Sequence, residues 1–442
     1  MPEGIYKFPK GFLWGTATAA HQVEGQNTNN NWYRWETTPN RIINGDRSGK
    51  ACDWWGGRWK DDLRQAAADG QNAHRFSIEW SRIQPTPTTW DADVLAFYVD
   101  MVKGIRNLGM QPMVTLHHFS DPIWITDMGG WENEQTPDYF AEFVRKVIPV
   151  FEEDVQLWIT INEPAVYVNG GYVEGSFPPG KQDLGAAFQV LKHLLIGHAA
   201  AYKIIHEFQP NAMVGYAKNY RGFEAAHPWF LPDGIVSRML SKNFNDSFSN
   251  AFIDGKLRFA FKQAQVREAI GTQDFVGLNY YTTEKVSFNL LAFDTLFSRR
   301  FFPEGAALSE TGFIANAPSG MWAALKWAHQ FNLPIYVTEN GLEDSKDILR
   351  PRYTLEHLHQ VWRASNMHWN VRGYFHWSLI DNFEWERGWT QRFGLWDLDI
   401  ATQARTPRKS AKMYARICKE NGISTETVQK YAPDAFSTLF PE

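Results

Sequence analysis

The sequence predicts an α/β fold, a (β/α)₈ TIM barrel, and three observations lead to this prediction. Eight short apolar runs recur along the chain, stretches with helical periodicity separate them, and several runs end in polar residues. Eight parallel strands are the number that closes such a barrel. The polar strand ends predict a functional cleft, because side chains at the carboxyl ends of barrel strands converge there.

The predicted strands and helices alternate along the whole chain. The strands are FLWGTATAA (12–20), NAHRFSIEW (72–80), QPMVTLHHF (111–119), VQLWITINEP (155–164), AMVGYAKNY (212–220), DFVGLNYYT (274–282), LPIYVTENG (333–341) and VRGYFHWSL (371–379). Helices are predicted over 92–108, 137–153, 183–208, 318–331, 354–366 and 408–420. The longer intervals, 21–71 and 221–273, are predicted to carry extended loops at one rim.

Composition favours one domain over residues 1–442, since neither a Pro/Ser/Gly-rich linker nor a charge block interrupts the pattern. With 44% hydrophobic residues and a net charge of -5, the chain resembles ordinary globular proteins and offers no basic patch for nucleic acid. The N-terminus has no signal-peptide pattern, and no apolar stretch approaches the roughly 18 residues that cross a bilayer. Two cysteines, Cys52 and Cys418, suggest a reduced, cytoplasmic protein rather than a disulfide framework.

Two glutamates stand at predicted strand ends, Glu163 in TINEP and Glu339 in VTENG. On a barrel, the ends of the fourth and seventh strands can face each other across the cleft. Cleavage of a glycosidic bond with retention needs a carboxylic acid that protonates the departing oxygen and a carboxylate that attacks the anomeric carbon, roughly 5 to 5.5 Å apart. The pair therefore predicts a retaining glycosidase.

Each glutamate alone could equally be an ion-pair partner or a helix-capping acid. The two together favour catalysis, because an asparagine adjoins each one, Asn162 before Glu163 and Asn340 after Glu339. An amide can hydrogen-bond a hydroxyl or carboxylate without neutralising it. We expect the surroundings to separate the two carboxyl pKa values, so that one group is protonated and the other ionised near neutral pH.

Seven motifs occur in an order that resembles glycoside hydrolase family 1, the β-glucosidase family, over nearly the whole chain. They are FLWGTATAAHQVEG, HRFSIEWSRIQP, TLHHFSDPIW, TINEP, FVGLNYYT, VTENG and GYFHWSLIDNFEW. The resemblance implies a (β/α)₈ barrel, a retaining double displacement, and neither a metal nor an organic cofactor. A metal at His117 and His118 is also disfavoured by geometry, because adjacent strand residues point to opposite faces.

The resemblance places the acid/base at Glu163 and the nucleophile at Glu339. Arg75 and Tyr281 match family residues that contact the nucleophile, and Asn279 is grouped with them as support. A guanidinium beside Glu339 would hold it ionised. The alternative for Arg75 is a salt bridge at the barrel rim.

The resemblance also places the pocket for the terminal sugar, with polar side chains around the ring and an indole beneath it. The matching residues are Gln22, His118, Asn162, Trp377 as the platform, Glu384 and Trp385. Family members that act on 6-phosphorylated sugars lack the carboxylate at Glu384, since two desolvated anions repel. The resemblance therefore implies a neutral terminal sugar: glucose first, with galactose and fucose-like rings also compatible.

Three segments depart from the family pattern. One of them, ERGWTQRFG (386–394), is shorter than the loop often found in the family after DNFEW, which suggests a more open entrance. The stretch ETGFIANAPSG (310–320) lacks the tryptophan that stacks on the leaving group, and Phe313 is the candidate substitute. The segment 283–309 matches no family motif, and either an exposed apolar rim or a subunit contact, hence a homo-oligomer, would account for it.

The expected substrates are small β-glycosides or short oligosaccharides, cleaved by an exo-acting enzyme of the β-glucosidase type. Two alternatives stay open. One is a catalytically inactive sugar-binding relative, which would lack one of the two glutamates. The other is a transglycosylase, which uses the same residues with a sugar or alcohol as acceptor.

Overall fold

A computed structural model describes residues 4–151, 154–292 and 295–441 and shows a closed barrel of eight parallel strands. The strands are β1 (Leu13–Ala17), β2 (Ala73–Ser77), β3 (Gln111–His117), β4 (Leu157–Asn162), β5 (Met213–Ala225), β6 (Val276–Phe288), β7 (Ile335–Asn340) and β8 (Val371–Trp377). Each strand pairs with the next, and β8 pairs with β1 in parallel register, Trp377 opposite Ala17. The predicted barrel and all eight predicted strands are confirmed.

Eight helices follow the eight strands. They are α1 (Trp59–Ala68), α2 (Ala92–Asn107), α3 (Thr136–Phe151), α4 (Leu184–Phe208), α5 (Leu231–Ser241), α6 (Pro318–His329), α7 (Arg350–Asn366) and α8 (Lys409–Glu420). The six predicted helices correspond to α2, α3, α4, α6, α7 and α8. The last two residues of the helix predicted over 137–153 lie outside the described residues.

The two intervals predicted to carry extended loops also contain two helices that the sequence did not predict, α1 and α5. Interval 21–71 contains α1, whose buried residues Trp59, Leu63 and Ala66 are spaced four and three positions apart. That spacing places the three side chains on one face of the helix. The apolar pattern is short, however, and the Gly- and Trp-rich sequence around it makes the helix hard to recognise. Interval 221–273 contains α5, the turn Ala251–Asp254 and a hairpin of Lys256–Phe259 with Lys262–Gln265.

The chain also forms shorter helices, turns and strands outside the barrel. The α-helical ones are Ala20–Val23, Asn31–Thr37, Trp80–Ile83, Ile123–Asp127, Pro164–Val168, Thr425–Tyr431 and Phe436–Leu439. The 3₁₀ turns are Ile43–Gly45, Gly130–Glu132, Arg267–Ala269, Trp385–Arg387 and Pro433–Ala435, and the π-helical segments are Asn169–Glu174 and Lys242–Asp246. The remaining strands are Ile5–Lys7, Ser298–Phe301, Trp396–Leu398, Arg405–Pro407 and Gly422–Ser424.

The barrel interior is filled by side chains rather than open. Phe375 on β8 is completely buried, and a Cβ placed on Gly15 of β1 would lie 2.7 Å from its ring. Gly15 is therefore required by close approach, since an alanine there would force the aromatic ring to move. The interior thus supports the strand ends above it as a packed base.

The segment 283–309 adds to the sheet instead of forming a plain loop. Strand β6 continues to Phe288 and pairs antiparallel with Ser298–Phe301. Between these two strands Leu290 and Leu291 are 63% and 84% exposed. The interpretation as an exposed apolar rim fits these residues, while 293–294 lie outside the described residues and the subunit contact stays a prediction.

Two further observations concern the cysteines and membrane-spanning helices. Cys52 and Cys418 are both buried and unpaired, as expected for a chain without a disulfide framework. Within the described ranges, no helix has both the length and the apolar character that crossing a bilayer requires.

Candidate active site

A cavity of about 410 Å³ opens where the carboxyl ends of the barrel strands converge. Nine of the twelve predicted site residues line it: His118, Asn162, Glu163, Tyr281, Phe313, Glu339, Trp377, Glu384 and Trp385. The other three, Gln22, Arg75 and Asn279, lie behind the lining and hydrogen-bond to it. The tertiary structure therefore brings all twelve residues to one site.

Glu163 follows the last residue of β4 in a left-handed backbone conformation, with φ of 44°. Pro164 then starts a short helix, so the chain turns sharply and leaves the carboxyl group at the cavity. Its Oε1 accepts hydrogen bonds from Asn279 Nδ2 at 2.7 Å and Asn219 Nδ2 at 2.9 Å. Burial, reinforced by the negative charge of Glu339, raises the pKa of Glu163 to about 7.

Glu339 lies within β7, one residue before its end, and its partners are of a different kind. Arg75 Nη1 donates to Glu339 Oε1 at 2.7 Å, and the Tyr281 hydroxyl donates to Oε2 at 2.6 Å. Burial raises the pKa of Glu339, and the positive charge of Arg75 is the largest effect opposing that rise. The two carboxyl groups thus sit in one desolvated site, one held by amides and the other by a cation.

Arg75 is the hub of this network and is not a rim residue, so the rim salt bridge considered as an alternative is excluded. Its side chain is only 1% exposed. Besides Glu339 it donates to Asn162 Oδ1 at 2.6 Å, to the Thr338 carbonyl at 3.1 Å and to Thr115 Oγ1 at 3.2 Å. Together, these hydrogen bonds fix the planar guanidinium in one orientation.

Asn279 hydrogen-bonds to Glu163 and to Thr338, the residue that precedes Glu339. Its amide nitrogen donates to Glu163 and, at 3.3 Å, to Asn162 Oδ1. Its own oxygen accepts from Thr338 Oγ1 at 2.6 Å, which fixes which end of the amide faces Glu163. Thr338, Thr115 and Asn219 were absent from the residues singled out in the sequence, although all three lie on barrel strands.

Aromatic rings and polar groups form one side of the cavity together. The His118 ring stacks between Trp377 and Trp385, with centroid distances of 6.0 and 5.9 Å. His118 Nε2 faces Asn162 Nδ2 at 3.1 Å. His118 Nδ1 is buried and has no hydrogen-bond partner within the described part of the chain. A buried polar atom of this kind is suited to a hydroxyl group of a ligand.

Glu384 is held at the same side by Gln22, whose Nε2 donates to Glu384 Oε2 at 3.2 Å. Gln22 Nε2 also donates to the Phe383 carbonyl at 2.8 Å, while its Oε1 is buried and unpaired among the described residues. Burial, together with the nearby charge of Glu386, raises the pKa of Glu384 well above its usual range. Hydrogen bonds from ligand hydroxyl groups would stabilise the ionised form.

Phe313 also lines the cavity and is 40% exposed. The Arg387 guanidinium stands 4.9 Å above its ring. Other lining residues were not singled out in the sequence, among them Asn169, Glu174, Phe177, Arg221, Phe244, Arg300, Glu386 and Arg387. Except for Arg221 and Arg300, these residues lie outside β-strands, so the alternating pattern of a strand does not identify them in the sequence.

Known glycoside hydrolases are similar to this chain in sequence. The sequence profile of glycosyl hydrolase family 1 matches residues 5–423. The chain belongs to glycosyl hydrolase family 1. Beta-glucosidase A of Thermotoga maritima is 34% identical over 95% of this chain and 99% of its own length. A beta-galactosidase of Pyrococcus woesei is 30% identical over 94% of this chain and 98% of its own length.

Solved structures of family 1 proteins share the whole architecture. A beta-glycosidase from Pyrococcus horikoshii superimposes with a TM-score of 0.91 at 35% identity, covering 97% of this chain and 98% of its own. The Thermotoga maritima beta-glucosidase in complex with glucoimidazole superimposes with a TM-score of 0.88 at 32% identity, covering 95% of this chain and 100% of its own. The family 1 resemblance seen in the motifs is confirmed.

Proposed function

We propose that this protein is an exo-acting, retaining β-glycosidase of the β-glucosidase type. The observation that carries the proposal is the pair of buried glutamates at the ends of β4 and β7 with contrasting partners. Amides hold Glu163, and a guanidinium and a phenol hold Glu339. A double displacement requires this division between a carboxylic acid and a carboxylate.

In the first step Glu339 attacks the anomeric carbon while Glu163 gives its proton to the departing glycosidic oxygen. The bond to the leaving group breaks, an alcohol departs, and a glycosyl ester to Glu339 forms. In the second step Glu163, now ionised, takes a proton from water, whose oxygen attacks the anomeric carbon. The ester bond breaks, the sugar leaves with its original configuration, and both glutamates return to their first state.

The hydrogen bonds give each residue a function in this cycle. Arg75 and Tyr281 stabilise the ionised Glu339 before attack and again when it leaves. Asn279 and Asn219 are neutral, so they orient Glu163 while allowing it to carry a proton. With a pKa of about 7, Glu163 is protonated to a useful extent at neutral pH and can exchange its proton in both steps.

For the terminal sugar we propose a neutral pyranose, glucose first, with galactose and fucose as alternatives. Trp377 is the proposed platform for the ring, with Gln22, His118 and Glu384 bonding its hydroxyl groups and Trp385 and Asn162 completing the pocket. When hydrogen bonds from the sugar hydroxyl groups hold Glu384 ionised, its charge disfavours a 6-phosphorylated sugar by repulsion. A panel of chromogenic β-glucoside, β-galactoside, β-fucoside and 6-phospho-β-glucoside substrates tests this, and a preference for the phosphorylated sugar would contradict it.

The test of the mechanism is the Glu339→Ala variant. We expect it to lose nearly all turnover, because no other group can attack the anomeric carbon. Added azide then restores cleavage of an activated aryl β-glycoside in a single displacement and forms the α-glycosyl azide. Product configuration is read by NMR. Glu356→Ala, which removes a buried glutamate of α7 outside the cavity, is the matched control and retains turnover.

An unimpaired Glu339→Ala variant, or a rescued product in the β configuration, would refute the assignment of Glu339. The inactive sugar-binding alternative is not favoured, since both glutamates are present with their partners. The transglycosylase alternative uses the same residues, and product analysis with an added alcohol acceptor distinguishes it from hydrolysis.

We also propose that the chain acts as one barrel domain in a reducing, cytoplasmic setting, with the exposed apolar rim as the candidate contact for a homo-oligomer. The two buried, unpaired cysteines support the reducing compartment. Subcellular fractionation and the molar mass in solution test these proposals.

A further inference from the structure

Strand β5 carries a buried lysine, Lys218, that has no place in the mechanism described so far. The residue is only 1% exposed. Burial of an ammonium group is costly unless polar groups of the protein replace the water that it loses. In the part of the chain that the structure describes, no carboxylate forms an ion pair with Lys218, and backbone oxygens bind its ammonium group instead. Buried ionisable groups of this kind are concentrated at functional sites.

The ammonium group of Lys218 links β5 to a segment at the catalytic cavity. Its Nζ donates to the backbone carbonyls of Asn219 and Phe244, the latter at 2.8 Å, and lies 4.6 Å from the centroid of the Phe244 ring. Phe244 belongs to the π-helical segment Lys242–Asp246, and its side chain lines the catalytic cavity. Two carbonyls and the face of an aromatic ring thus surround the cation.

The two neighbours of Lys218 in β5 both hydrogen-bond to Glu163. The carbonyl of Ala217 accepts from the backbone N–H of Glu163 at 2.8 Å, and Asn219 Nδ2 donates to Glu163 Oε1 at 2.9 Å. Because Lys218 binds the carbonyl of Asn219, it restricts the backbone from which the Asn219 side chain extends. The position of the Glu163 carboxyl group therefore depends on Lys218 through one intermediate residue.

The charges of Lys218 and Glu163 also influence each other. Burial lowers the pKa of Lys218 to about 7, and the negative charge of Glu163, followed by that of Asp246, opposes this fall. The other charged or titratable groups that face Glu163 are Glu339, Arg75 and Tyr281. Attraction between an ammonium group and a carboxylate acts in both directions, so a charged Lys218 favours the ionised form of Glu163.

We propose that Lys218 is a positioning residue for the acid/base, one that fixes Asn219 and stabilises the Glu163 carboxylate after it has given up its proton. This inference rests on the proposed glycosidase function. In the first step the proton of Glu163 moves to the departing oxygen, and a negative charge remains in a buried site. In the second step the carboxylate takes a proton from water. Lys218 does not line the catalytic cavity, so it acts through Asn219 and through its charge.

The first experiment measures the pH dependence of kcat/KM on an unactivated β-glucoside for the wild-type protein, Lys218→Met and Lys218→Arg. Loss of the positive charge raises the pKa of Glu163, so the alkaline limb of Lys218→Met should move upward by at least about half a pH unit. The ratio of kcat/KM at about pH 8 to that at about pH 6 then rises at least about twofold. Lys218→Arg keeps the charge, and its limb should stay in place. A lower kcat/KM with an unmoved limb in Lys218→Met would indicate a purely structural role and overturn the inference.

Lys242→Met is the matched control. Lys242 lies in the segment that Lys218 binds, but its side chain is exposed and does not line the catalytic cavity. We expect the wild-type alkaline limb in this variant, and the same upward shift there would overturn the inference. Near-UV circular dichroism verifies that each variant is folded. If Lys218→Met is not folded, Lys218→Gln, which removes the charge but retains an N–H donor, takes its place.

A measurement without turnover separates this inference from the proposed function. NMR of protein labelled at the lysine side chains follows the titration of Lys218 in the wild type and in Glu163→Gln, and its signal is assigned by its absence from Lys218→Arg. We expect a midpoint near pH 7 in the wild type, lower by at least about half a unit in Glu163→Gln because the attracting carboxylate is absent. Equal midpoints would overturn the inference. A lower midpoint in a protein that cleaves no β-glucoside would support the coupling of the two residues and refute the glycosidase instead.

Discussion

At the scale of single residues, the two glutamates differ through what surrounds them rather than through burial, which is nearly complete for both. Asn279 and Asn219 bond Glu163 without charge, whereas Arg75 brings a full positive charge to 2.7 Å from Glu339. An amide leaves the proton free to come and go, and a guanidinium favours the ionised form. The proposed assignment of Glu163 as the acid and Glu339 as the nucleophile rests on these partners.

Glu163→Ala should lower activity according to the leaving group. A positioned general acid contributes roughly 10²- to 10⁴-fold, and a disaccharide, whose sugar alcohol departs poorly without a proton, should lose this full factor. A dinitrophenyl glycoside needs no proton and should lose far less in its first step. Steady-state and pre-steady-state rates on both substrates measure the difference. Equal losses would contradict the acid function of Glu163.

The pH dependence of kcat/KM should show its alkaline limb near pH 7. The pKa of Glu163 is raised to about 7, and the free enzyme needs this group protonated for the first step. As the pH rises through this value, Glu163 loses its proton and kcat/KM falls tenfold per pH unit. The control is Glu163→Ala on an activated aryl glycoside, where this limb should vanish. A limb that persists there belongs to another group.

At the scale of elements, the loop after β8 carries Glu384 and Trp385 and is held from outside by α8. Arg408, which precedes the first residue of α8, donates from Nη1 and Nη2 to the two carboxylate oxygens of Asp381, both at 2.8 Å. Both side chains are almost fully buried. The loop geometry therefore depends on a two-pronged ion pair between elements.

Arg408→Ala should destabilise the fold by about 3 to 5 kcal/mol, because the buried Asp381 carboxylate loses both short ionic hydrogen bonds and keeps only Arg392, at 3.7 Å, as a cation among the described residues. Since the same loop carries Glu384, KM for glucosides should also rise. Urea denaturation and steady-state kinetics measure the two effects. The matched control is Arg416→Ala in α8, whose partners Glu420 and Glu426 are partly exposed and exposed, and it should cost at most about 1 kcal/mol. Similar losses in both variants would contradict this account.

At the scale of the whole molecule, the two ends of the chain meet at the base of the barrel. Ile5–Lys7 pairs with Gly422–Ser424, and Trp14 at the start of β1 donates from Nε1 to Asn421 Oδ1 at 2.8 Å. Phe8 packs against the Trp14 ring with centroids 4.8 Å apart. These contacts between the two ends of the chain therefore reinforce the closure of the barrel that the pairing of β8 with β1 provides.

Trp14→Ala should lower the free energy of unfolding by about 3 to 5 kcal/mol, since a buried indole leaves a cavity that its neighbours fill only in part. Activity measured below the transition should change little, because the residue lies far along the strands from the cleft. Trp229→Ala is the control: that indole is 82% exposed, and its removal should stay within about 0.5 kcal/mol. Equal denaturation midpoints in the two variants would contradict a closing function for Trp14.

The sequence by itself determined the barrel and its strand-end residues, because both are expressed locally. Apolar runs of strand length and helical spacing appear in consecutive residues, and polar residues at strand ends mark the cleft. Two helices escaped detection, α1 and α5, which have only 10 and 11 residues and lie within long intervals that are otherwise irregular. The choice of Glu163 and Glu339 needed only their places at strand ends and their asparagine neighbours.

Only the tertiary structure decided which groups partner those glutamates and where the cleft extends. Arg75 contacts Thr115, Asn162, Thr338 and Glu339, residues on three other strands, and no spacing within the sequence encodes these contacts. The cavity also draws on residues outside the barrel strands, such as Asn169 and Phe313, whose positions depend on contacts between distant segments. Local patterns in the sequence do not encode such contacts, and this is the physical reason that the two strand-end glutamates could be predicted from the sequence whereas the full lining of the cavity could not.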